Sequence, residues 1–190
     1  GDKILALFAK HLLNRKKIRK KQIIVGTILT NLGLENYLKN KINIKLIKTD
    51  VGDINVISEM QKTKSNLGGE QSGHIILSDY SYTGDGILSA LKVLEIMSTI
   101  NSKASKIFNI YKEMPQKKIN ISYNKIDKNI REKIKILSSN KKLSPKGFRS
   151  LIRFSGTEPL IRILVEGPIK KQVVLIAKKI EKKVRIVLEK

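Results

Sequence analysis

Four short stretches near the start of the chain limit what it can fold into. "QIIVGTI" is a β-branched run of strand length, "LGLENYLKNK" spaces its apolar residues as a helix does, "INIKLIKT" alternates apolar and polar residues, and "INVISEMQKTK" returns to helical spacing. Side chains repeat every 2 residues on a strand and every 3.6 on a helix, so one pattern cannot stand in for the other. Strand, helix, strand and helix in succession predict helices layered on a sheet. Thr30 or Asn31 is placed to cap the first of these helices.

The flanking segments extend the pattern. From Asp2 to Leu13 the apolar residues Ile4, Leu5, Leu7, Phe8, Leu12 and Leu13 predict an opening helix that ends at the basic run "NRKKIRKKQ" (Asn14 to Gln22). "VGD" reads as a turn, and its Asp50 and Asp53 are better explained as turn residues than as metal ligands. "GGEQSGH" reads as a glycine-rich loop and "IILS" as a short strand. "TGDG" leads into a helix from Ile87 to Ile100, with Thr83 or Asp85 as cap and Leu88, Leu91, Leu94 and Ile96 inward. Around "YKEMPQ" (Tyr111 to Gln116) a proline interrupts the helical pattern, and a domain boundary is expected there. Beyond it come a strand in "KKINISYNK", a helix from Asp127 to Leu137, two strands flanking "RFSGTEP", and a C-terminal helix from about Lys170. The expected fold is α/β: an α/β/α layered domain over residues 15–114, then a small α+β domain over 115–190 with an antiparallel sheet and helices on one face.

Charge and cysteine usage narrow the function classes. The chain has 190 residues, no cysteine and a formal charge of +23. Disulfides, thiolate metal sites and a cysteine nucleophile are excluded, which fits a cytoplasmic location. The longest apolar runs fall far below the roughly 20 residues of a membrane span, so no membrane partner is expected. The excess charge is almost all lysine, scattered among many Ile and Asn residues as an AT-rich coding sequence would scatter it. That favours a diffuse solvated charge over a specific nucleic-acid footprint. Only "NRKKIRKKQ" is dense, and it has no aromatic residue for base stacking.

Two loops concentrate chemistry. In "RFSGTEP", Ser155, Gly156 and Thr157 bring backbone amides and hydroxyls into one tight loop, with Gly156 expected to take a conformation closed to other residues. Arg153 adds a planar fork that suits phosphate oxygens. The competing reading is a polar hairpin in which Arg153 pairs with Glu158 or Glu166. In "GGEQSGH", Glu70, Gln71, Ser72 and His74 offer a carboxylate, an amide, a hydroxyl and an imidazole between glycines, an inventory suited to a polyhydroxylated ligand. A histidine entering an apolar strand, as His74 does, is more often a core residue.

"GGEQSGHIILSDYSYTGDGILSALKVLEIM" and "RFSGTEPLIRILVEG", with "VGTILTNLGLENYLK" and "KTDVGD" in the same order, resemble the sugar-binding and phosphate-binding loops of the α-D-phosphohexomutase superfamily. Within it the likeness is greatest to the bacterial phosphoglucosamine mutase family. The resemblance implies a four-domain isomerase that interconverts glucosamine 6-phosphate and glucosamine 1-phosphate through a bisphosphorylated sugar. In that family a phosphoserine in domain 1 carries the phosphoryl group, and Mg2+ is held by an aspartate-rich loop of domain 2. By resemblance Glu70, Gln71, Ser72 and His74 read the sugar, while Arg153, Ser155, Gly156, Thr157 and Arg162 hold the phosphate. The implied partners are a hexosamine phosphate, its bisphosphate intermediate and the preceding domains.

The departures from the family pattern shape the expectation. Neither the phosphoserine segment Thr-Ala-Ser-His-Asn-Pro nor the metal loop Asp-Gly-Asp-x-Asp-Arg occurs, so no catalytic residue and no Mg2+ ligand is expected in this chain. Residues 1–14 are then expected to be the last helix of family domain 2, with Gly1 and Asp2 just downstream of its metal loop. Ile54 stands where the family carries a basic residue. Taken alone, the chain is expected to bind substrate without turning it over. The alternatives are the corresponding half of a phosphomannomutase or phosphoglucomutase, and a basic nucleic-acid-binding module.

Overall fold

Strand β1 (Ile23–Thr27) is almost wholly buried because it lies inside a sheet covered on both faces. In the structure, a computed structural model describing residues 1–17, 22–140 and 143–189, the chain divides into two units, Gly1–Glu113 and Met114–Lys190. The middle of the basic run, residues 18–21, lies outside the described residues.

The first unit runs α1 (Asp2–Asn14), β1, α2 (Leu32–Lys41), β2 (Lys45–Thr49), α3 (Asp53–Thr63), β3 (Leu67–Gly69), β4 (Ile75–Leu77), α4 (Gly86–Ile100) and α5 (Ala104–Ile107). Its sheet has the order β2-β1-β3-β4; β1 is parallel to β2 and β3, and β4 is antiparallel to β3. Successive residues of β1 serve opposite layers. Ile24 joins Leu5, Ala6 and Phe8 of α1, Leu34 and Leu38 of α2, and Ile96 of α4. Val25 packs instead with Val56 and Met60 of α3 and with Ile76. The expected α/β/α layering is present, and α1 contributes directly to this unit's core. Asn31 is the cap of α2, accepting from the Gly33 amide at 2.8 Å, and Asp85 caps α4, accepting from Leu88 at 2.9 Å.

Two sequence expectations need correction here. "LGG" is strand β3, not the beginning of a loop; it lacks branched side chains because α3 lies against it. A Cβ on Gly68 would meet the Met60 sulfur and come within 2.9 Å of Val56 Cγ1. On α4, Leu91 and Leu94 are exposed, while Ile96 is buried and Leu88, Val93 and Met97 pack partly against the core. Helix α4 is apolar on more than one side, so periodicity could not select the inward face.

The second unit runs β5 (Gln116–Ser122), α6 (Lys128–Ser139), β6 (Arg149–Phe154), β7 (Leu160–Glu166) and α7 (Lys170–Leu188). Its sheet, β5-β7-β6, is antiparallel throughout. Ile121, Ile152, Ile161, Ile163 and Val165 form one core with Ile134 of α6 and Val173, Ile176 and Ile180 of α7. Both longer helices therefore cover one face, as expected. Strand β6 continues through Arg153 and Phe154, two residues further than "SLI" suggested. No helix among the described residues is long and apolar enough to cross a membrane.

The strand period places Arg149, Leu151 and Arg153 of β6, with Arg162, Leu164 and Glu166 of β7, on the other face of that sheet. Glu166 is 0% exposed; it pairs with Arg149, its neighbour across the ladder, and accepts from Gln116 Nε2 at 2.6 Å. Removing one member of a buried pair strands the other charge. Glu166→Ala is expected to destabilise the second unit by about 3–5 kcal/mol, measured by urea unfolding followed at NMR amide signals of β5 and β7. A loss below about 1 kcal/mol, the surface-pair range, would mean that the pair contributes little.

Candidate functional site

The first unit builds its polar loop between β3 and β4. Antiparallel pairing of Leu67–Gly69 with Ile75–Leu77 brings the loop ends together, and the Glu70 amide donates to the His74 carbonyl at 3.0 Å. The Gly73 amide returns to the Glu70 carbonyl at 3.0 Å, and Gly73 takes φ 109°, which only glycine adopts readily. The Glu70 side chain is turned inward. One carboxylate oxygen accepts from the Gly52 amide at 2.9 Å, and the other lies 3.3 Å from His74 Nδ1.

This arrangement separates the residues that the sequence grouped. Glu70 is only 6% exposed, whereas the His74 ring is 64% exposed, so His74 is no core histidine. Ser72 is exposed and Gln71 half-buried. Each Glu70 oxygen keeps one lone pair beyond its present contact. The carboxylate thus ties three pieces together: the turn before α3, the loop and the His74 ring. Gly52 was missed as a site residue because "VGD" was taken only as a turn; its φ of 124° is the local signal of a special role. Ile54 stands exposed on the first turn of α3.

In the second unit Arg153 lies on β6, directly across the ladder from Arg162 of β7, and Arg162 faces Asn120 of β5 on its other side. Asn120 was not singled out, since nothing in "KKINISYNK" distinguishes it before the strands pair. Arg162 pairs with Glu158, and Arg149 pairs with Glu166. Arg162 Nε is buried with no hydrogen-bond partner among the described residues. The loop is closed by the Ser155 amide, which donates to the Leu160 carbonyl at 2.8 Å. Ser155 therefore offers its hydroxyl, not its amide.

Gly156 departs from expectation. It does not take the positive φ proposed for it, and a Cβ built there meets nothing within 4 Å. Its contribution is open space at the tip of the loop, with the backbone left accessible. A metal site fits poorly: Asp53 uses an oxygen on the Ile54 amide at 2.8 Å, and no group of three His, Cys, Asp or Glu residues suited to a metal ion occurs among the described residues. The residues present therefore do not fit Mg2+.

Comparison with known proteins assigns both units to one family. Residues 1–114 match the family described as phosphoglucomutase/phosphomannomutase, alpha/beta/alpha domain III, and residues 116–183 match the C-terminal domain of the same family. The chain is 42% identical over 192 residues to the phosphoglucosamine mutase of Bdellovibrio bacteriovorus, covering 95% of this chain and 39% of that protein. It is 45% identical over 174 residues to that of Dictyoglomus turgidum, covering 90% and 38%. The chain thus spans about two fifths of the length of these curated relatives. Among solved structures, a phosphoglucomutase/phosphomannomutase family protein from Burkholderia thailandensis superposes with a TM-score of 0.79 at 18% identity, over 98% of this chain and 41% of that one. The Aspergillus fumigatus N-acetylphosphoglucosamine mutase, in complex with GlcNAc-6P and magnesium, gives 0.73 at 19% identity, over 97% and 46%. The chain belongs to the phosphoglucomutase/phosphomannomutase family, and its two units correspond to that family's domain III and C-terminal domain.

Proposed function

We propose that the chain carries the sugar-reading and phosphate-holding part of a phosphoglucosamine mutase, which interconverts glucosamine 6-phosphate and glucosamine 1-phosphate through a bisphosphorylated sugar. The observation that carries the reading is the placement of Arg153 opposite Arg162, beside a loop of open amides. Like charges facing each other across a ladder destabilise a sheet unless an anion lies between them. Glu158 offsets one of the two arginines. A phosphate dianion held at this loop accepts two parallel bonds from a guanidinium. The Gly156 and Thr157 amides and the Ser155 and Thr157 hydroxyls complete the donor set.

The two loops have separate tasks in this reading. Glu70 is already fixed by Gly52 and His74, so its free lone pairs meet sugar hydroxyls without further ordering, and Gln71, Ser72 and His74 line the same loop. Phosphoryl transfer depends mainly on positioning and charge stabilisation, and groups that hold the non-reacting end of a substrate supply the positioning. Identity above 40% to relatives named phosphoglucosamine mutase favours glucosamine over mannose or glucose as the sugar.

Titration of glucosamine 6-phosphate, followed at the Ser155, Gly156 and Thr157 amides by NMR, tests the phosphate site. Arg153→Lys keeps the charge but loses the fork, and a several-fold weaker Kd is expected. Arg153→Ala should weaken binding by about 10- to 100-fold, the worth of one charge-assisted contact, with folding unchanged. Binding that is absent in the wild type, or equal in Arg153→Ala, would overturn the reading. Tighter binding of mannose 6-phosphate would move the assignment to a phosphomannomutase.

The chain is also expected to bind without turnover, because its loops offer holding groups and no phosphoryl carrier. Incubation of the purified chain with glucosamine 6-phosphate and glucose 1,6-bisphosphate, read by phosphorus NMR, should give no glucosamine 1-phosphate. Product formation by protein free of host mutase would refute this.

A further inference from the structure

The helical layer of the first unit leaves a cavity of about 310 Å³ among α1, α2, α4, α5 and the segment that follows α5. Small-molecule sites begin at this size, roughly 300–1,000 Å³. The cavity is separate from the loop that carries Glu70. Helix α1 meets that loop at Gly1, where a Cβ would collide with the Glu70 carbonyl, whereas the cavity is lined by α1 residues between Leu7 and Asn14. At 1.5 Å per residue the two places lie roughly 10–20 Å apart along the helix.

The walls have two characters. Leu7, Ile96 and Ile107 are buried and give an apolar side. Tyr37 adds an aromatic one: it stacks on Tyr111 with ring centroids 6.1 Å apart, and burial raises its pKa, so its hydroxyl stays neutral and beside an anion remains a donor. The charged part of the lining is Lys10, His11 and Lys106, and no aspartate or glutamate joins them among the described residues.

This cationic character has no local counter-ion. His11 is half-buried, and its pKa is lowered by burial and then by Arg15, Lys92 and Lys17, with Glu95 acting in the opposite sense. Glu95 is itself engaged by Lys92 at 2.7 Å and Arg15 at 3.7 Å. No ion pair joins Lys10, His11 or Lys106 to a carboxylate among the described residues. Cations that share one recess repel each other, and an anion with an apolar body would relieve that repulsion while covering the apolar wall.

We propose that this cavity binds a small molecule with one anionic head on an apolar or aromatic body. Lys10, His11 and Lys106 hold the head, and Leu7, Tyr37, Ile96 and Ile107 cover the body. A phosphate ester and a carboxylic acid share this chemistry. The site is independent of the sugar and phosphate reading of the two loops.

The test titrates the 190-residue chain with phenyl phosphate and with benzoate, and with inorganic phosphate and acetate as the heads alone. NMR follows the His11 ring and the methyl groups of Leu7, Ile96 and Ile107, while the Ser155, Gly156 and Thr157 amides report separately on the loop of the second unit. At least one aryl anion is expected to bind about tenfold more tightly than its head alone, the worth of covering most of a ring. It should move the cavity methyls and raise the His11 pKa. The tighter of the two aryl anions identifies the head. Lys10→Gln and Lys106→Gln keep most of the stem and remove one charge each; each should weaken binding about two- to fivefold, the range of an exposed charge pair, with Tm unchanged. Aryl anions that bind no better than their heads, that move only the Ser155 to Thr157 amides, or that bind the double variant as they bind the wild type would overturn the proposal.

Discussion

Both units depend on the two-residue period of a central strand. In β1, Ile24 and Val25 point into different helix layers, so the strand cannot slip by one residue without exchanging its two cores. In β7 the period does different work. Ile161, Ile163 and Val165 enter the core under α6 and α7, which commits Arg162 and Glu166 to the opposite face. The arginine row is therefore anchored by hydrophobic packing on the reverse side of the same strand, and the energy that holds it in place is mostly apolar burial.

The opposite face of the second sheet solves the problem of clustered cations in two ways. At one end Arg149 is neutralised by the fully buried Glu166, with Gln116 taking the second carboxylate oxygen. At the loop end Arg153 and Arg162 face each other with Glu158 at the rim. The first arrangement is closed and structural. The second is open toward a loop with accessible backbone, and it is there that the proposed phosphate site lies.

The loop of the first unit is organised around a buried acid, and a second buried acid lies beside it. Glu70 joins the turn before α3 to its own loop, and Asp2 joins the start of α1 to the cap of α2. Both groups are nearly removed from solvent, and both are met by backbone amides, which stabilise a carboxylate without introducing another titrating group. A loop held in this manner has little freedom left to lose when a ligand binds, and that freedom is a main cost of recognition.

Hydrophobic periodicity was enough to place most helices and the branched strands, because helix and strand spacing are local properties of the chain. The caps Asn31 and Asp85 were legible for the same reason: a short polar side chain before a helix bonds an amide two or three residues on. The composition of "GGEQSGH" and "RFSGTEP" likewise marked both loops. Long-range pairing was not legible. β3 was hidden because Gly68 is small for the sake of α3, and the inward face of α4 was ambiguous because the helix is apolar on several sides. Sequence could not tell that Arg153 belongs to a strand, that Asn120 lies across from Arg162, or that Gly1 meets a loop some seventy residues away. Local chemistry is written in neighbouring residues, whereas which residues face each other is settled only when hydrophobic burial fixes strand register and helix docking.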